Sequence, residues 1–219
     1  MRHDIGRRLL LFTMLGHSVA RGQNQELPLA SSQDAVNLYI IPTDGVSEQG
    51  AGVIARALTK ETGLSIKSTL WSPSDVENPF PGTDQYPAEN YFSIGARMAR
   101  TLPDASARTY FIVLTNRDIN SKTGNFRFQF SMHHPAANTS VLSFARLQHN
   151  MDGSSSPADV VAERIGKMLL RIVVEMRLGW KRTNDPSDLM YAPIMSVEDV
   201  DRMNLVHTFK RRGTVSPAI

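Results

Sequence analysis

An α/β domain with a mixed, mostly parallel sheet of five strands is the fold this sequence predicts, and three observations predict it. Short β-branched and aromatic runs, at residues 36–41 and 109–114 above all, are apolar on both faces, as strands of a covered parallel sheet are. Segments with apolar residues at helical spacing alternate with these runs along the chain. The longest periodic stretch, residues 163–201, opens with a helix that is apolar almost all round, and such a helix is central and buried.

The elements follow in order. Residues 1–20 have a basic start ending at Arg7 and Arg8, an apolar run over 9–19, and small residues around Ser18, Val19 and Ala20. That is the pattern of an export signal, placing the mature chain in a periplasm or outside the cell. The run is shorter than the roughly 20 apolar residues a spanning helix needs, and nothing after it is long and apolar enough, so no stable membrane span is expected. Residues 21–34, polar with Gln, Ser and Pro, read as a flexible lead-in, and residues 35–205 as a single domain. Residues 36–41 form a buried strand bounded by Pro42 and Gly45. Over 46–62 Val53, Ile54, Ala57 and Leu58 recur at helical spacing, with Gly63 as the stop, and 64–71 alternates as a second strand. Strand, helix, strand implies a parallel pair with a right-handed crossover.

Residues 72–87 carry four prolines and several acidic residues and read as a long loop, either a connector or a rim over a cleft. A second helix over 86–102 buries Tyr91, Ile94 and Met98, and Pro103 closes it. Residues 109–114 form the central strand, followed by a turn at 115–120. Residues 125–130 alternate Phe126, Phe128 and Phe130 against Arg127 and Gln129, the pattern of a half-buried strand. Residues 140–147 make the fifth strand and 152–157 a loop. The central helix starts near Pro157 and buries Ile165, Met168, Leu169, Ile172 and Met176, widened by Leu170, Val173 and Val174. Gly179 ends it, Lys181 and Arg182 follow where cations suit helix carbonyls, and Pro186 forbids early resumption. A turn at Leu189, Met190 and Tyr191 leads to a capped helix start at Ser196, and residues 206–219 read as a basic, disordered tail.

Composition removes several classes of function. At 219 residues and 41% hydrophobic, the chain suits one domain with a real core. The net charge of +3 comes largely from the first twenty residues, where three arginines face one aspartate. No Lys/Arg stripe with interleaved aromatics points to nucleic acid. With no cysteine there is no disulfide, thiolate nucleophile or thiolate metal site. No Gly-Xaa-Ser-Xaa-Gly elbow and no phosphate-binding glycine loop occurs.

The strand Val141-Leu142-Ser143-Phe144-Ala145-Arg146-Leu147, the long buried helix, its terminal glycine, the methionine-bearing turn and the segment Ser196 to Asp201 together resemble the archaemetzincin branch of the metzincin zinc peptidases. The resemblance spans residues 36–203 in element order. It implies a metzincin-type fold, a peptide-binding cleft and a zinc held on the central helix by two histidines four apart and a third six further on, with a glutamate after the first. Anchoring that motif on Gly179 puts Ile172 and Met176 at the paired histidines, Val173 at the glutamate and Arg182 at the third histidine. Making Glu175 the catalytic glutamate instead puts Val174 and Leu178 at the histidine positions. Neither register holds zinc. Met190 falls at the methionine turn, and the second, cysteine-held zinc of archaemetzincins has no ligands here.

Three functional readings follow. The first is a non-catalytic, archaemetzincin-like pseudopeptidase without cofactor that binds a peptide or protein in the old cleft and along the edge strand, with Ile172 and Met176 filling the ligand space. The second is a zinc-dependent peptidase with unconventional ligands among His133, His134 and His149. Against it, His133 and His134 are adjacent on a strand and point to opposite faces. The third is a structural module with no ligand. Glu175 reads either as an ion-pair partner of Arg171, four residues before it, or as a general base in the cleft.

Overall fold

A computed structural model describes residues 36–75, 78–124 and 126–211; the export signal and lead-in fall outside the described residues. The five-stranded sheet has the order β2-β1-β4-β7-β6, built from β1 (Leu38–Pro42), β2 (Ile66–Ser68), β4 (Tyr110–Thr115), β6 (Ser131–His134) and β7 (Thr139–Ser143). Pairings β1/β2, β1/β4 and β4/β7 are parallel, and β6 lies antiparallel on the β7 edge. The mixed, mostly parallel sheet is therefore as the sequence predicts. Two short strands, β3 (Gln85–Pro87) and β5 (Asp118–Asn120), pair separately in parallel.

Period-two alternation sorts the sheet into two cores. Leu38, Ile40, Ile112, Leu114 and Leu142 face α1 (Glu48–Thr62) and α3 (Ala158–Leu178). Tyr39, Ile41, Phe111, Val113 and Val141 face the opposite side, where Tyr91 and α2 (Phe92–Thr101) pack. The close approach of α2 to β7 requires Gly95, since a Cβ there would sit 2.1 Å from Thr139 Oγ1. Helix α1 begins at Ser47, whose side chain accepts from Gly50 N at 3.0 Å, and ends on Gly63 in the left-handed region.

Helix α3 runs from the Pro157 N-cap to Gly179 at φ 68°. Its apolar side is as the sequence predicts, but it also carries a buried cationic stripe at i, i+3 and i+7: Arg164, Lys167 and Arg171. Each cation is spent on the C-terminal segment or the loop before the helix. Arg164 forks onto Asp201 (2.7 Å for both bonds) and donates to Leu147 O, His149 O and Ser156 Oγ. Lys167 reaches the carbonyls of Val200 and Asp201 at the end of α4 (Val197–Arg202). Arg171 Nη1 donates to Leu189 O at 2.7 Å. Buried donors thus cap a helix end and a turn whose carbonyls have few other partners.

The structure differs from the sequence reading in several places. The edge strand is Ser131–His134, not residues 125–130, because β7 offers only Thr139–Ser143 as a ladder and its antiparallel register assigns Ser131 to Leu142. The phenylalanine stretch is irregular, held by one bridge between Gln129 and Ile119 and by an edge-on contact of Phe128 with Phe130. Strand β7 stops at Ser143, whose Oγ donates to Arg117 O, and a 3-10 turn over Arg146–Gln148 follows. Only three residues of the second predicted strand enter the sheet, leaving Leu70 and Trp71 exposed. At the C-terminus α5 (Leu205–Arg211) extends the domain past residue 205, with Thr208 fully buried and its Oγ1 accepting from Leu189 N. Residues 206–211 of the tail expected from 206 are therefore helical, and Thr208 packs into the domain.

Candidate functional site

One stripe of α3, part of it buried, borders a cleft. Met168, Arg171, Glu175 and Met176, at i, i+3, i+7 and i+8, line one wall. The phenylalanine stretch and β6 line the other, and the 192–197 segment closes an end. The volume is about 1390 Å³, above the roughly 300–1,000 Å³ of small-molecule sites and suited to a chain segment.

The helix presents this set because its other face is committed to the sheet. Ile172 and Val173 are fully buried in the core. Ile172 therefore does not share the cleft wall with Met176, and the apolar filling expected of that pair comes from Met168 and Met176 instead. The i, i+4 pair that faces the cleft is Arg171 and Glu175, one residue before the positions assigned by anchoring on Gly179. They do not form the expected ion pair. Glu175 Oε1 instead accepts from Arg182 Nε at 2.8 Å, so Arg182 folds back from beyond Gly179 onto the helix. Glu175 Oε2 is buried without a hydrogen-bond partner.

His133 joins this group from β6. Its Nδ1 lies 2.7 Å from Ser140 Oγ, which lies 2.8 Å from Tyr110 OH, a hydrogen-bonded chain crossing three strands. Burial pushes the imidazole down to about 4; the Glu175 carboxylate opposes that shift, and the Arg182 and Arg171 guanidiniums add to it. His133 is therefore neutral at pH 7. Burial also raises Tyr110 and lowers Arg171 to about 10, which leaves the guanidinium charged.

The other predicted positions lie apart. His134 points to the opposite sheet face, where its ring packs tilted at 44° against Phe92 with centroids 5.1 Å apart and accepts from Ala137 N. His149 is exposed at the cleft mouth. Met190 is fully buried in the turn beside α3, its N–H bonded to Asp188 Oδ1. Arg171 is the cleft residue that the sequence reading treated only as an ion-pair partner. A cation and an acid four apart in an otherwise apolar helix were the available signal.

The residues present do not fit a zinc ion. Among the described residues no group of three or more His, Asp or Glu side chains converges. The two donors that do approach, His133 and Glu175, have two guanidiniums beside them, which oppose a dication, and the imidazole already uses one nitrogen on Ser140.

No family model and no curated protein matches the chain. Solved structures do. A zinc-dependent peptidase from Methanocorpusculum labreanum aligns with a TM-score of 0.62 at 16% identity, covering 76% of this chain and 93% of that one. Archaemetzincin from Archaeoglobus fulgidus, complexed with malonate, aligns at 0.54 and 23% identity, covering 76% and 91%. Archaemetzincin from Methanopyrus kandleri aligns at 0.56 and 18% identity, covering 80% and 91%. The sheet order, the buried α3 and the cleft beside it make the fold of this chain archaemetzincin-like.

Proposed function

We propose that this protein is an exported, non-catalytic relative of archaemetzincin-type peptidases that binds a peptide or protein segment in the cleft beside α3. The observation that carries the reading is the cleft floor, lined by Arg171 and Glu175 of α3 and by Arg182, which folds back onto the helix from beyond Gly179. A hydrolase of this type needs an electrophile and an activated water. Glu175, bonded to Arg182 and with no metal-ligand set beside it, supplies neither.

The remaining geometry supports peptide binding. β6 is the last strand of the sheet, so its outer backbone edge is open to an added strand. Exposed Phe126 and Met195 flank the cleft with apolar surface. Export rests on the basic and apolar pattern of residues 1–20. Zinc chemistry through His133, His134 and His149 has no support from the geometry, because His134 packs against Phe92 on the far face of the sheet.

The test is capture from a peptide library by the purified protein, with Phe126→Asp as the comparison. Phe126 is 56% exposed, so the change leaves the core intact. Peptides retained by the parent should be lost from the variant; equal retention by both would remove the cleft from the binding site.

A further inference from the structure

Arg171 stands out among the buried cations of α3. Arg164 forks onto a carboxylate, and Lys167 pairs with Glu163 while also reaching two carbonyls. Arg171 is as buried, at 6% exposure, yet among the described residues no carboxylate lies within ion-pair distance of it. Its one hydrogen bond among them goes from Nη1 to Leu189 O. A guanidinium carries five N–H donors in a rigid fork. That single bond fixes the fork against the Leu189–Met190 turn and leaves the other donors at the cleft floor.

The surroundings set the sign and shape of what would complete it. Arg171 and Arg182 bring two positive charges to the floor and Glu175 one negative charge; the buried Asp188, which does not line the cleft, also acts on Arg171, Arg127 adds a positive charge to the lining, and His133 is neutral, so the charged lining is net positive. The Arg146 guanidinium nearby is cancelled by Asp118 and lies over the Phe128 ring. A net charge in a concave site with apolar walls is felt strongly by an incoming anion. Met168 and Met176 flank the fork, leaving apolar volume beside it for the rest of a bound chain.

We propose that Arg171 is the anchor of a carboxylate-binding site in the cleft floor, which takes a peptide by its C-terminal carboxylate or by an acidic side chain. This deepens the peptide-cleft reading and rests on it for the occupant, though not for the anion. The guanidinium fork matches a carboxylate with two parallel N–H···O bonds, the arrangement that gives both strength and orientation.

The experiment uses the full-length chain and calorimetric titration. Succinate is compared with succinamide, its neutral counterpart, and then an N-acetylated hexapeptide with a free C-terminus is compared with its amide and with an amide carrying an internal Glu. The inference expects succinate to bind about tenfold or more tightly than succinamide, the ratio a lost charge-assisted pair produces. It expects the free acid or the Glu-bearing amide to exceed the plain amide by a similar factor, and which of them does so identifies the source of the carboxylate. Arg171→Gln should abolish the preference; because that change also removes the bond to Leu189, the ligand-side comparisons on the unaltered protein stand independently. Equal binding of succinate and succinamide, or a preference retained in folded Arg171→Gln, overturns the anchor. Equal binding of all three peptides overturns it too and leaves the peptide cleft standing. Succinate binding with no peptide binding keeps the anion site and removes the peptide.

Discussion

Acidification should destabilise this protein through His133 before its carboxylates begin to protonate. The imidazole is held against Ser140 between β6 and α3, and burial with two neighbouring guanidiniums takes it from 6.5 down to about 4, the Glu175 carboxylate offsetting only part of the effect. A group whose folded value lies below its unfolded one contributes stability that is complete above the unfolded value and lost as pH falls from there toward the folded value. The window here is pH 6.5 to 4. Integrated to pH 5.5, the difference is about 1.4 kcal/mol, against almost nothing at pH 7.5. The assay is urea unfolding at both pH values for the parent and for His133→Gln, which keeps a hydrogen-bonding group near Ser140 without a titrating ring. The parent should lose about 1.4 kcal/mol more than the variant between the two conditions. Equal losses, or an NMR titration placing the His133 ring near 6.5, would refute the reasoning.

Other consequences follow from the packing. Arg164→Ala empties a site that is 3% exposed and removes the donor to Leu147 O, His149 O and Ser156 Oγ, while the Asp201 side chain, 40% exposed, is solvated instead, so it should cost roughly 1–3 kcal/mol, measured by urea unfolding at pH 7.5. Gly95→Ala sets about 1 kcal/mol of helix propensity against a clash with the buried Thr139 side chain. The clash should win by roughly 1 kcal/mol, and the penalty should shrink in a Thr139→Ala background, which removes the contacts at 2.1 and 2.8 Å but keeps the Cβ at 3.0 Å, read by thermal unfolding.

How much of this could be read from the chain depends on what each segment packs against. Residues 36–41 and 109–114 were legible because strands covered on both faces are apolar at every position, and the observed β1 and β4 are buried throughout. Helix α3 was legible from its period and its terminal Gly179. The phenylalanine stretch was not. Alternating aromatics report a half-buried surface, and Phe128 and Phe130 do pack, but a strand also needs a partner ladder, which β7 gives to residues 131–134. Anchoring the motif on Gly179 reaches Met176 and Arg182, which line the cleft, but also Ile172 and Val173, which do not. The positions that face outward are set by which stripe the sheet buries, and Ile172 and Val173 lie in that stripe. Arg164, Lys167 and Arg171 look like solvent-facing charges in sequence; their partners include a carboxylate 37 residues away and backbone carbonyls as far as 34 residues away, which no local pattern reveals.

Our proposal is that guanidiniums occupy the floor of an archaemetzincin-like cleft where metal ligands would stand. Its most direct test is elemental mass spectrometry of the full chain after equilibration with excess zinc and desalting. Zinc far below one ion per chain, unchanged in His133→Ala, is the expected result. One zinc per chain that disappears in His133→Ala or Glu175→Ala would contradict it.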